Sequence, residues 1–109
     1  MQSDKRNLSM VMDLYELTMS YGYFKSHDIN KKVAFDVFYR KNPEGAGYAI
    51  FAGLEQIVEY ILNLHFDDSD IEYLRGLNLF DEDFLSYLRG FKFKGDVYSL
   101  KEGTIMYPN

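Results

Sequence analysis

A fourteen-residue pattern occurs twice in succession in this chain, and that doubling constrains the fold more than any other feature. Phe66-Asp67-Asp68 followed by Tyr73-Leu74-Arg75-Gly76 is matched by Phe80-Asp81-Glu82 followed by Tyr87-Leu88-Arg89-Gly90. Each copy carries helix punctuation at both ends. Acids crowd the opening turn, where they face the positive end of the helix dipole, and Ser69 with Glu72 reads as a capping box in the first copy. An Arg-Gly pair then supplies a cation at the negative end and a residue free to leave the helix. Two short helices therefore follow one another. Two copies are too few to stack as a solenoid.

Ahead of the repeat lie two further helical patterns. Met10, Leu14, Leu17, Tyr21 and Phe24 recur at three- and four-residue spacing across residues 10–24, which predicts a helix with one buried stripe whose start falls at Met10 or after Asp13. Asp13 suits its N-cap, with Glu16 where a capping-box acid belongs. A second stripe, Val11, Tyr15, Thr18 and Gly22, runs beside the first, so this helix has two faces that can each touch something. Gly22 would permit close approach of another segment. Leu54, Ile57, Val58, Ile61 and Leu62 match the helical template again and predict a helix covering a sheet.

Strand chemistry fills the intervals. Residues 33–40 are β-branched and aromatic with a period of two: Val33, Phe35, Val37 and Tyr39 alternate with Ala34, Asp36, Phe38 and Arg40. Asn42-Pro43-Glu44-Gly45-Ala46-Gly47 is a turn by composition, after which residues 48–52 should return antiparallel to the first strand. Val97 with Tyr98 and Ile105 with Met106 read as two more strands around a turn at Lys101-Glu102-Gly103. The expected class is α+β, a small mainly antiparallel sheet with helices packed on one face.

Composition narrows the functions open to such a fold. A chain of 109 residues has room for one domain. The formal net charge of −5 argues against a general attraction to nucleic acid or anionic membrane, so a phosphate ligand must be held locally. With no cysteine the chain has no disulfide, thiolate nucleophile or cysteine-bound zinc, which fits a reducing cytoplasm. His27 and His65 stand far apart and read as surface residues, with no metal spacing. No apolar run approaches the roughly 18 residues of a membrane span. Ten Tyr against no Trp suggests rings with one wet edge, at an interface or pocket rim. The last residues, Tyr107-Pro108-Asn109, read as an interruption within a longer protein.

Several blocks, in order, resemble the nicotinate phosphoribosyltransferases. Asp13-Leu14-Tyr15-Glu16-Leu17-Thr18-Met19 with Tyr21-Gly22-Tyr23-Phe24 is similar to that family's opening motif. Phe38-Tyr39-Arg40-Lys41-Asn42-Pro43 and Gly47-Tyr48-Ala49-Ile50-Phe51-Ala52-Gly53-Leu54-Glu55 resemble its next block. Asp70-Ile71-Glu72-Tyr73-Leu74, Phe80-Asp81-Glu82-Asp83-Phe84-Leu85, Gly95-Asp96-Val97-Tyr98 and Glu102-Gly103-Thr104 continue the likeness. Separated blocks in one order are more specific than a single motif.

The resemblance implies an N-terminal α/β domain, residues 1–109, of an enzyme whose barrel-like catalytic domain is absent from this chain. Such enzymes join nicotinate to phosphoribosyl pyrophosphate, giving nicotinate mononucleotide and pyrophosphate for NAD biosynthesis. ATP hydrolysis, with Mg2+, drives the reaction through a phosphohistidine. Neither His27 nor His65 lies in a motif for that histidine, so no catalytic residue is expected here, and neither ATP nor Mg2+ is expected on this chain alone. The likeness further implies a homodimer in which the first helix reaches the neighbouring active site. Tyr15 matches a ring that packs on the pyridine, a contact adding about 0.5–1.5 kcal/mol beyond burial. The alternative for Tyr15 is packing between domains. Arg40 matches an Arg near the phosphate groups, where a guanidinium fork suits the oxygens. Its alternative is a strand-end pair with Asp36, contributing about 0–1 kcal/mol. Lys41 and Asn42 are weaker substrate-binding candidates in the same block. Two other readings stand: a non-catalytic protein-interaction module using the Tyr15 stripe, and the same domain of a nicotinamide or quinolinate phosphoribosyltransferase, against which the Phe38 to Pro43 block favours nicotinate.

Overall fold

The computed structural model describes residues 7–27 and 30–108. Its elements run α1 (Leu14–Lys25), a single 3-10 turn (Pro43–Gly45), β1 (Ala49–Ile50), α2 (Leu54–Leu62), α3 (Asp68–Gly76), α4 (Glu82–Arg89) and β2 (Ile105–Met106). The class is α+β, with four helices and a two-stranded antiparallel sheet among the described residues.

The repeat folds into α3 and α4, and the structure explains its leading Phe. Phe66 and Phe80 each precede an N-cap aspartate, while Ile71 and Leu85 sit four residues after those caps. Phe66, Ile71 and Leu85 are buried in one cluster with Phe80 packed against it, so each copy encodes a hydrophobic staple that fixes how the chain enters its helix. The cap of α3 is thus Asp67 rather than Ser69. Its backbone N–H donates to the Asp70 carboxylate at 2.9 Å, which replaces the expected Ser69 and Glu72 box. At α4 the Asp81 carboxylate accepts from the Phe84 N–H at 2.9 Å. Gly76 is the last residue of α3, and the turn to a left-handed backbone falls on Asn78 (φ 57°), a residue whose short side chain tolerates that region.

Arg75 does more than complement its helix end. Its guanidinium grips Glu82 through Nε at 2.7 Å and Nη2 at 3.0 Å, and also bonds Glu72, joining the end of α3 to the start of α4. The Glu82 carboxyl is accordingly held below its ordinary value by Arg75.

Against this pair lies α1. Leu17 is buried, and Met10, Tyr21 and Phe24 pack on the cluster of Phe66, Ile71, Leu74, Phe84, Leu85 and Leu88. Phe84, at 0 % exposure, is the centre. The rings of Tyr21, Phe80 and Phe24 stand 5.1, 5.4 and 5.5 Å from it. Two details of the expected helix differ. Met10 precedes it, since α1 starts at Leu14, and Leu14 itself is exposed. Asp13 occupies the N-cap position with no side-chain capping bond.

Polar contacts fix both ends of α1. Before it, the Asn7 amide donates to Asp67 at 3.0 Å and Asp70 at 3.3 Å, and the buried Ser9 hydroxyl accepts from the His65 N–H at 3.2 Å. At its end Lys25 meets Asp81 at 2.7 Å.

The sheet differs most from expectation. Ala49 pairs with Met106 and Ile50 with Ile105, and the ladder continues as Phe51 N–H to the Thr104 carbonyl at 2.8 Å. The partner of residues 48–52 is therefore the tail, and residues 33–40 form no strand, nor do Val97 and Tyr98. A strand needs a ladder partner, and among the described residues none is offered to 33–40. Its apolar side chains stand in solvent, Phe35 at 89 % exposure. The turn at residues 101–103 forms as expected, with Gly103 at φ 87°. Glu102 in that turn accepts from the N–H groups of Gly53 at 2.9 Å and Leu54 at 3.1 Å, so a carboxylate closes the start of α2. On α2, Leu54 and Ile61 are half-buried while Ile57, Val58 and Leu62 are exposed.

Candidate functional site

Because α1 commits one side to the core, helical geometry dictates what it offers on the other. Tyr15 lies two positions from buried Leu17, about 200° around the axis, and so faces outward. It is 60 % exposed, and its ring meets no other aromatic ring among the described residues. Val11, Thr18 and Gly22, the rest of the second stripe, are exposed with it. The Thr18 hydroxyl is turned back onto the Tyr15 carbonyl at 3.0 Å, leaving the outer face with a methyl and a ring. Among the described residues nothing outside its own helix lies within 4 Å of a Cβ built on Gly22, so the close approach suggested for that residue is not made by them.

The second group, Arg40, Lys41 and Asn42, lies where the unpaired segment enters the 3-10 turn. The Arg40 guanidinium carbon sits 5.8 Å from the Phe38 ring centroid, a cation over an aromatic face. It makes no ion pair with Asp36 among the described residues. Lys41 is exposed. Asn42 is half-buried at the N-cap of the turn, and the Tyr39 hydroxyl lies 2.9 Å from its side-chain oxygen and 2.9 Å from the Met106 carbonyl. Tyr39 thereby ties this group to β2. No hydrogen bond, ion pair or ring contact joins Tyr15 to residues 40–42 among the described residues.

Two features here lie outside the sequence expectations. Strand alternation at Tyr39 does not announce a hydroxyl bond to a residue 67 positions away. Lys31 and Lys32, with Arg40, Lys41 and Asp36, give residues 31–41 a net charge of +3 (four bases, one acid) within a chain of net charge −5. That count was available from the sequence. All of these charges are exposed, so the segment presents a positive strip with Phe35 and Phe38 between.

Among the described residues no cluster of His, Asp and Glu could hold a metal ion, and no helix is long and apolar enough to cross a membrane. Both histidines are exposed.

Fold and surface together define a small α+β domain, closed around α1, α3 and α4 on one side and open on the other, where an unengaged tyrosine and a basic, aromatic segment face outward. Residues 10–109 match the family model for the nicotinate phosphoribosyltransferase (NAPRTase) N-terminal domain. The chain belongs to that family. It is 41 % identical over 101 residues to nicotinate phosphoribosyltransferase pncB2 of Mycobacterium tuberculosis, covering 93 % of this chain and 22 % of that protein. With nicotinate phosphoribosyltransferase of Bacillus subtilis it shares 44 % identity over 103 residues, 94 % of this chain and 21 % of the relative. With nicotinate phosphoribosyltransferase 1 of Arabidopsis thaliana it shares 38 % over 101 residues, 91 % and 18 % respectively. The chain spans about a fifth of the length of these curated relatives.

Proposed function

We propose that this domain serves a nicotinate phosphoribosyltransferase that condenses nicotinate with phosphoribosyl pyrophosphate, with ATP hydrolysis, and that its part is to lend the outer face of α1 to a pocket completed by other polypeptide. In this reading Tyr15 stacks on the pyridine ring in the neighbouring subunit of a homodimer. Arg40, assisted by Lys41 and Asn42, faces the phosphate groups. The reacting atoms, the phosphorylated histidine, ATP and Mg2+ belong to the catalytic domain.

The observation that carries the reading is the division of α1. Leu17, Tyr21 and Phe24 anchor it in the core, while Tyr15 is left exposed without a ring partner among the described residues. A flat ring held on a rigid helix loses little further freedom when a flat ligand stacks on it. Arg40 supports the second part: among the described residues its fork meets no carboxylate, and it is exposed over the Phe38 ring.

The test is kinetic. In the full-length enzyme Tyr15→Ala should raise the KM for nicotinate severalfold, the loss of a stacking contact of about 0.5–1.5 kcal/mol, with the far-ultraviolet circular dichroism unchanged. Unaltered nicotinate kinetics would remove the stacking role.

A second reading has an observation of its own. The exposure of Val33, Phe35 and Val37 suits a surface that another protein covers, as an interaction module requires. Mixing this domain with a separately expressed catalytic domain separates the two: restored turnover supports the enzyme reading, and stable association only with unrelated proteins supports the module.

A further inference from the structure

His65 sits in the short connection between α2 and α3, and both of its ring nitrogens face acceptors. Nδ1 lies 2.7 Å from the Asn63 carbonyl oxygen, and Nε2 lies 2.9 Å from the Asp67 carboxylate. A carbonyl oxygen and an ionised carboxylate can only accept. A neutral imidazole carries one N–H and satisfies one of these contacts, leaving a lone pair against an acceptor at the other. Only the imidazolium donates at both.

Asp67 makes this more than a local matter. Its backbone is the N-cap of α3, its N–H donates to Asp70, and its second carboxylate oxygen takes the Asn7 amide at 3.0 Å. The His65 backbone N–H meanwhile donates to the buried Ser9 hydroxyl. One side chain therefore touches the end of α2, the start of α3 and, through Asp67, the segment leading into α1.

We propose that His65 is a protonation-controlled latch, closed as an imidazolium across Asn63 and Asp67 and opened at Asp67 when it becomes neutral, so that proton loss loosens the joint holding the segment before α1 to the start of α3. The charged groups facing it among the described residues are Asp67 and Asp70, both on the opening of α3. The segment before α1 offers the neutral Asn7 and Ser9, and the end of α2 the neutral Asn63. The backbone contact to Asn63 first, and the two acids after it, hold the His65 ring protonated to higher pH than an ordinary histidine. The device rests on contacts within this chain and is independent of the proposed substrate.

On loss of the proton the Nδ1–H contact to Asn63 should survive, because it spans only two residues, and Nε2 should be the nitrogen that is bared. The experiment is a long-range proton–nitrogen NMR titration of the nitrogen-15-labelled chain from about pH 5 to about pH 9, with the urea-unfolded chain as reference. The expected result is a folded midpoint above the unfolded one, a neutral form protonated at Nδ1, and an Asn7 side-chain amide whose shift follows the same midpoint. Asp67→Asn, which retains a good N-cap residue, should lower the midpoint. A folded midpoint at or below the unfolded one, a neutral form protonated at Nε2, an Asn7 amide indifferent to the titration, or an Asp67→Asn midpoint equal to the wild type would each overturn the latch.

Discussion

Replacing Phe84 by alanine tests where the core of this domain lies. The ring is wholly buried, with Tyr21 at 5.1 Å, Phe80 at 5.4 Å, Phe24 at 5.5 Å and Tyr87 at 6.3 Å between centroids. Burial of a side chain of this kind stabilises by about 1.5–3 kcal/mol, and each well-arranged aromatic pair adds about 0.5–1.5 kcal/mol. Truncation also leaves a cavity where α1, α3 and α4 meet. The expected loss is toward the upper part of the 3–5 kcal/mol typical of Phe→Ala. Against a total of about 5–15 kcal/mol for a domain, that is a third or more of the stability. Urea unfolding followed by circular dichroism measures it. Phe35→Ala is the control, because a ring at 89 % exposure should change stability by no more than about 0.5 kcal/mol. If Phe35→Ala costs as much as Phe84→Ala, residues 33–40 pack into the domain and the core assigned to α1, α3 and α4 is wrong.

Two further substitutions bear on the surface. Arg40→Lys keeps a charge but loses the fork, so in the full-length enzyme it should raise the KM for phosphoribosyl pyrophosphate severalfold with stability unchanged; equal kinetics would assign Arg40 to the Phe38 contact alone. Lys25 holds the Asp81 carboxyl below its ordinary value, so the pair's contribution is complete above the unfolded carboxylate value of about 3.9 and is lost as pH falls through the lower folded value. Lys25→Met should therefore flatten the acid limb of the curve of stability against pH, read by urea midpoints at several pH values, and an unchanged limb would show that the contact does not persist in solution.

What could be read from the sequence follows from how local each determinant is. Helix α2 is announced by side-chain spacing, and α3 and α4 by acids and Arg-Gly pairs within a few residues of their ends, and all three form in the expected segments. The choice of Asp67 over Ser69 as a cap turns on the buried Phe66 beside it, which the repeat displays but the capping pattern alone does not weigh. The sheet is another matter. Residues 33–40 and 48–52 have the alternation of strands, yet pairing is settled by whichever segment reaches the edge, and here that is β2, some 56 residues from β1 (Ile105 less Ala49). Spacing within a segment carries no information about such a partner. The Lys25 to Asp81, Glu102 to Gly53 and Tyr39 to Met106 contacts are hidden for the same reason.

The two stripes of α1 show why the candidate site was legible in part. A helix buried on one side needs a continuous apolar row, and Leu17, Tyr21 and Phe24 supply it. That requirement places no demand on Tyr15, which could be any soluble residue as far as this core is concerned. An exposed aromatic ring on such a face adds nothing to the helix's attachment. Its exposure on α1 beside Thr18 and Gly22 is therefore unexplained by this core. Exposure alone gives no ligand for the ring, and the family match is what turns an outward-facing Tyr15 into a specific proposal about a pyridine.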